Sequence, residues 1–110
     1  MSATLAHLAA EPCRSNAAPL APALLAEGLV LLPGWEVVTG SLAKRFRFAT
    51  YREAIAFVNA VAWVAERANH HPELEVGFAV VTVRYTTHSA AAITHNDLVC
   101  AARVEALLAA

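Results

Sequence analysis

The most regular stretch of the chain is "LAKRFRF", residues 42–48, in which Lys44, Phe46 and Phe48 alternate with Arg45 and Arg47. A period of two sends successive side chains to opposite faces of a strand, so the run predicts a half-buried strand. "WEVV" at 35–38 is rich in strand formers, and Thr39-Gly40-Ser41 supplies a turn between the two runs. Together they predict a hairpin. "LEVGFAVVTVRYTTH", residues 74–88, predicts a second hairpin turning near Gly77–Val80. In its later strand Val81, Val83 and Tyr85 share one face, while Thr82, Arg84, Thr86 and His88 share the other, with His88 at the strand end.

Helical periods separate these hairpins. "PALLAEGLVLL", Pro22 to Leu32, reads as a short helix that Gly28 weakens and Pro33-Gly34 stops. Thr50 and Glu53 stand at capping-box spacing, which predicts a helix from there to about Asn69. Its stripe is Ile55, Val58, Ala62 and Ala65, widened by Phe57, Val61 and Val64, as packing on a sheet requires. Pro72 disfavours helical dihedrals at His71, so the helix ends at or before the double histidine. Thr94 and Asp97 repeat the capping spacing for a last helix with the stripe Leu98, Ala101, Val104 and Leu108. Residues 1–18 carry small residues, prolines and no strong period, and read as a flexible arm ahead of a single domain at 19–110.

The order helix, hairpin, helix, hairpin, helix predicts an α+β fold with an antiparallel sheet covered by helices on one face. With 110 residues the chain is long enough for one core and too short for two. Hydrophobic residues make up 58% and charged residues 15%, which is apolar for a monomer of this size. An oligomer is expected.

The net charge of −1 shows no electrostatic footprint for nucleic acid. Lys44, Arg45 and Arg47 make the only small basic cluster and read as a solvated strand face. Cys13 and Cys100 lie far apart without CxxC spacing, which argues against a zinc site or a disulfide scaffold and fits a reducing cytoplasm. No apolar run reaches transmembrane length, and no basic region followed by an apolar stretch opens the chain, so a cytoplasmic location without membrane or nucleic-acid partners is expected.

Chemistry concentrates in "NHHP" and the residues downstream of it. Of five histidines, His70, His71 and His88 sit at the ends of regular elements, where sites are built on rigid scaffolds. Imidazoles titrate near neutrality, so several converging on one pocket give and take protons without a cofactor. Neighbouring histidines in extended backbone point in opposite directions, and no carboxylate or cysteine accompanies them at ligand spacing, which disfavours a metal. A helix stop competes evenly with catalysis, because polar or cationic side chains are favourable at a helix C-terminus. Asp97 reads either as the carboxylate that orients an imidazole or as the third position of a cap. Cys100 reads as a small buried hydrophobe, and Trp35 and Phe46 as core residues.

In order, the Pro-Gly-Trp before the first strand, "RFRF", "FVNAVAWVAERANHHPELEVG", "VTVRYTTH" and "ITHNDLVCAARVEAL" resemble the pterin-4a-carbinolamine dehydratase family over about residues 33–108. The resemblance implies a four-stranded antiparallel sheet with helices on one face, assembled as a homodimer or homotetramer. It implies dehydration of 4a-hydroxytetrahydropterin, left by an aromatic amino acid hydroxylase, to quinonoid dihydropterin, with no metal and no cofactor. The activity that the resemblance implies is that of a 4a-hydroxytetrahydrobiopterin dehydratase, a lyase of tetrahydrobiopterin recycling. Carried over by position, His70 and His88 are the acid/base pair, His71 helps hold the pterin, and Asp97 supports the imidazoles. Pro72, Thr87, Ser89 and Ala90 join the histidines as substrate contacts.

The chain departs from the family pattern at Ser89, where an acidic residue is common, and at Ala92, where a glycine is common before the last helix. Ala92 adds a methyl where glycine allows unusual dihedrals or close approach. The resemblance also admits a second function, because non-catalytic dehydratase-like proteins act as interaction partners and as assembly factors for the carbon-fixing carboxylase. Members with a lost site lack the histidine cluster, whereas here it is complete.

Overall fold

The computed structural model describes residues 4–109. Along the chain come α1 (Leu5–Ala10), α2 (Pro22–Val30), β1 (Glu36–Val38), β2 (Ser41–Arg47), α3 (Tyr51–Ala68), β3 (Glu73–Val76), β4 (Val80–Tyr85), a 3-10 turn (His88–Ala90) and α4 (His95–Leu107). The strands form one antiparallel sheet in the order β1-β2-β4-β3, the α+β arrangement that the hydrophobic pattern predicts.

Alternation decides the two faces of that sheet. Leu42 pairs with Tyr85, Phe46 with Val81 and Leu74 with Val83, so these side chains share one face, and α3 and α4 cover it. Leu42, Val81, Val83 and Tyr85 are fully buried there. Each such side chain contributes about 1.5–3 kcal/mol on leaving water. Ala43, Arg45, Glu73, Glu75, Thr82 and Arg84 share the uncovered face. Trp35 and Phe46 pack edge to face at 5.9 Å, inside the core as expected.

The buried stripe of α3 is Ala54, Phe57, Val61, Val64 and Ala65. Phe57, Val61, Val64 and Ala65 belong to the expected face, but the stripe centres on the widening residues: Ile55 and Val58 are only half-buried and Ala62 is exposed. Phe57 packs with tilted rings against both Phe46 and Phe48, which fixes its side of the helix on the sheet. At the helix start the Thr50 hydroxyl accepts from the Glu53 N–H at 3.1 Å, while the Glu53 carboxylate reaches back to Ala49 rather than to Thr50 itself.

Two further expectations are corrected. Lys44 does not belong to a solvated basic face with Arg45 and Arg47: it pairs with Val83, points inward, and forms an ion pair with Glu105 of α4. Glu105 also accepts from the Trp35 indole N–H at 2.8 Å. And where residues 1–18 show no strong period, Leu5–Ala10 forms a helix packed against α4. Arg103 donates to the carbonyls of Ala9 and Glu11 at 3.0 and 2.7 Å, tethering the arm to α4. The thiol of Cys13 meets that of Cys100, which is fully buried as expected. Among the described residues no helix is long and apolar enough to cross a membrane.

Candidate active site

The end of α3 sets up the site. Asn69 takes the left-handed conformation at φ 50°, and the His70 N–H bonds the Ala65 carbonyl at 3.1 Å, so the helix closes before Pro72 as predicted. Asparagine tolerates this conformation better than most residues. The reversal separates the two histidines. His70 turns inward and stacks on Tyr85 with ring centroids 5.6 Å apart and planes 9° from parallel. His71 stays exposed, its Nε2 3.3 Å from a Glu66 carboxylate oxygen.

His70 meets the start of α4. Its Nε2 lies 2.5 Å from Oδ1 of Asp97, a residue with no exposed surface. The other oxygen, Oδ2, accepts from the Thr94 N–H at 2.8 Å and from the Thr87 hydroxyl at 2.9 Å. Thr87 has one hydroxyl proton and gives it to Asp97, so the 2.8 Å contact between Thr87 and Thr94 is a donation from Thr94. Asp97 therefore closes the capping box of α4 and orients an imidazole at once. The two readings of Asp97 do not compete. A carboxylate oxygen accepts, so Nε2 of His70 is the donor to Oδ1, and in the neutral tautomer that this contact selects Nδ1 carries the lone pair.

His70, His71, Pro72, Thr87, His88 and Ser89 line one open cleft of about 440 Å³. Ala90 does not line it, and lies half-buried at the end of the 3-10 turn. His88 does not end the strand. β4 stops at Tyr85, Thr87 turns inward to its hydrogen bonds, and His88 opens the 3-10 turn with an exposed side chain that makes no hydrogen bond among the described residues. Thr87 keeps to the inward face that Val81, Val83 and Tyr85 define, and the chain turns after it, so His88 leaves the line of the strand. Ala92, where a glycine would allow unusual dihedrals, pairs with Thr87 in an extended bridge, and the left-handed residue of this turn is Ala91, at φ 52°.

Burial pushes the Tyr85 hydroxyl well above the usual phenol range, with Cys100 and Asp97 adding to the shift, so Tyr85 is a neutral platform for His70. Burial likewise pushes the Cys100 thiol up, reinforced by Cys13. His95, the first residue of α4, is lowered from its ordinary value by burial and by Arg14, with Glu11 opposing. Periodicity did not single out Thr94 or Asn96 as part of this neighbourhood. The one available signal was their position beside Asp97 in a cap.

The chain has known relatives. The family model described as pterin 4 alpha carbinolamine dehydratase matches residues 18–107. A protein of Dechloromonas aromatica that carries the provisional name pterin-4-alpha-carbinolamine dehydratase is 47% identical over 107 residues, covering 97% of this chain and 96% of its own. One of Chromobacterium violaceum with the same provisional name is 46% identical over 89 residues, covering 81% and 82%. The crystal structure of a transcriptional coactivator/pterin dehydratase from Brucella melitensis superposes with a TM-score of 0.79 at 29% identity, covering 83% of this chain and 99% of that one. A pterin dehydratase-like protein described as a RuBisCO assembly factor in the alpha-carboxysome superposes with a TM-score of 0.56 at 28% identity, covering 66% and 84%. With the family model spanning residues 18–107 and relatives this similar over most of their length, the chain belongs to the pterin-4a-carbinolamine dehydratase family.

Proposed function

We propose that this protein dehydrates a 4a-hydroxytetrahydropterin to the quinonoid dihydropterin, as a 4a-hydroxytetrahydrobiopterin dehydratase. The observation that carries the reading is the His70–Asp97 pair on the wall of a cleft that His71 and His88 also line. The reaction breaks the C4a–oxygen bond, releases water, and forms the C4a–N5 double bond as the N5 proton leaves. One group must protonate the departing hydroxyl and another must take the proton from N5. His70, held through Nε2, offers Nδ1 as the base. His88, exposed to solvent, supplies and renews the proton for the hydroxyl. His71 and Pro72 hold the ring, with Thr87 and Ser89 beside it. The chemistry so written uses no metal or cofactor.

An aromatic amino acid hydroxylase is the reaction that supplies such a substrate, and a cytoplasmic homodimer or homotetramer is the form proposed. The exposed Trp63, Phe78 and Val30 support an oligomer. The test is turnover of 4a-hydroxytetrahydropterin generated in situ by a hydroxylase. His70→Ala is expected to lower the protein-dependent rate by roughly 10²–10⁴-fold. An unchanged rate overturns the role of His70.

A second reading has one specific support, the likeness to the carboxysomal assembly factor. It makes the chain a non-catalytic partner of a large protein, for example the carbon-fixing carboxylase. The complete His70, His71, His88 and Asp97 set favours the enzyme. Absence of pterin binding together with capture of that carboxylase would reverse the preference.

A further inference from the structure

A second cleft of about 390 Å³ adjoins the first and shares Asn69, His70, Thr87 and Ser89 with it. Its far wall is the turn at Ser15 and Asn16, in the arm that precedes α2. Asn16 holds that turn in the left-handed conformation at φ 53°. The turn is anchored from below by Asn96, which is only 8% exposed. The carboxamide of Asn96 accepts from the Arg14 N–H at 2.7 Å and donates to the Arg14 carbonyl at 2.9 Å. A side-chain amide that satisfies both polar groups of one residue fixes the backbone there much as a strand partner does. Asn96 directly precedes Asp97, so the same first turn of α4 positions His70 with one residue and the Ser15–Asn16 wall with the other.

We propose that this wall selects the substituent at C6 of the pterin, that Ser15 and Asn16 hydrogen-bond a hydroxylated chain there, and that Asn96 is the positioning residue behind them. The proposal rests on the dehydratase reading above. C6 is bonded to N5, the atom that loses its proton, so a substituent at C6 begins one bond from the group facing His70. The pyrimidinone ring lies on the other side of C4a. With His70 at the junction of the two clefts, the C6 chain enters the second cleft when the ring fills the first. A serine hydroxyl and an asparagine carboxamide donate and accept, which matches the vicinal hydroxyls of a dihydroxypropyl chain and leaves a methyl group unrecognised.

The experiment compares 4a-hydroxytetrahydropterins bearing dihydroxypropyl or methyl at C6, each generated in situ, with equilibrium binding of the corresponding dihydropterins as a second readout. The native protein is expected to prefer the hydroxylated substrate in kcat/KM. Ser15→Ala and Asn16→Gly are each expected to reduce that preference about three- to ten-fold, carried by KM rather than kcat. Both positions are exposed, and glycine keeps the left-handed turn, so folding is preserved. Asn96→Ala is expected to reduce the preference as much as the two together. An unchanged preference in the Ser15 and Asn16 variants overturns the wall while leaving the dehydratase reading intact, as does a native protein with no preference. Loss that falls equally on both substrates through kcat overturns it too. A native protein that binds neither pterin overturns both.

Discussion

Asp97 and Glu105 stand near opposite ends of α4, and both gather partners from other elements, yet the two networks differ in kind. Asp97 has no exposed surface and accepts three hydrogen bonds, from His70, Thr94 and Thr87. Glu105 keeps 17% of its side chain exposed and holds Lys44 and Trp35. Glu105 joins one end of the sheet to a helix and stops there. Asp97 joins a helix cap to the His70 ring on the wall of the cleft. A buried carboxylate whose partners are all fixed transmits position; a partly exposed one serves mainly as a fastening.

Breaking each network should separate these roles. Asp97→Ala leaves three donors without their acceptor, at about 1 kcal/mol each. A loss of about 3 kcal/mol is expected in chemical denaturation, together with a collapse of pterin turnover, and a stable but inactive variant would refute the double role. Asp97→Asn is the sharper version, since it keeps the shape and disturbs the tautomer of His70. Next in size, Glu105→Gln is expected to cost about 1 kcal/mol, because the amide still accepts from Trp35 while the charge facing Lys44 is gone. Turnover should stay at the native level, and a large loss would make Glu105 part of the site.

The smallest effect concerns His95, which begins the same helix on the side away from His70. Its Nε2 lies 3.1 Å from a Glu11 oxygen without the alignment of a hydrogen bond. Burial first, and Arg14 second, lower its folded pKa below the unfolded value of 6.5. Below that pH the unfolded chain binds more protons than the folded one. The contribution to stability is thus full above about pH 6.5 and is lost as the pH falls through the lowered folded value. Melting curves of His95→Gln should show a weaker dependence on pH across that interval. Parallel curves for the variant and the native protein would remove His95 from the acid response.

Much of this was legible beforehand, for identifiable reasons. The alternation in β2 and β4 named the buried faces, and Pro72 placed the end of α3 before the double histidine. Capping spacing placed Thr50 and Thr94 at helix starts. Periodicity was silent on residues 4–17 because short helices of alanine and leucine show little contrast between faces. Alternation put Lys44 on the face of Phe46, but its charge grouped it with Arg45 and Arg47 as solvated, because no local pattern reveals Glu105 opposite it. It carried the strand on to His88 because nothing local says that β4 stops at Tyr85 and that a 3-10 turn opens at His88.

Features with local causes could be read from the order of residues: element types, helix ends, the turn chemistry, and the choice of His70, His71, His88 and Asp97 as candidates. Which histidine is anchored had to wait for the packing of whole elements. His70 and His71 have the same titratable ring and adjacent positions, and only the left-handed residue at Asn69 and the arrival of α4 give one of them a buried carboxylate and leave the other in water. The same holds for Asn96 and the Ser15–Asn16 turn, joined across more than eighty residues of sequence. Contacts of that range depend on how helices, sheet and arm settle against one another, and no local pattern of apolar and polar positions encodes them.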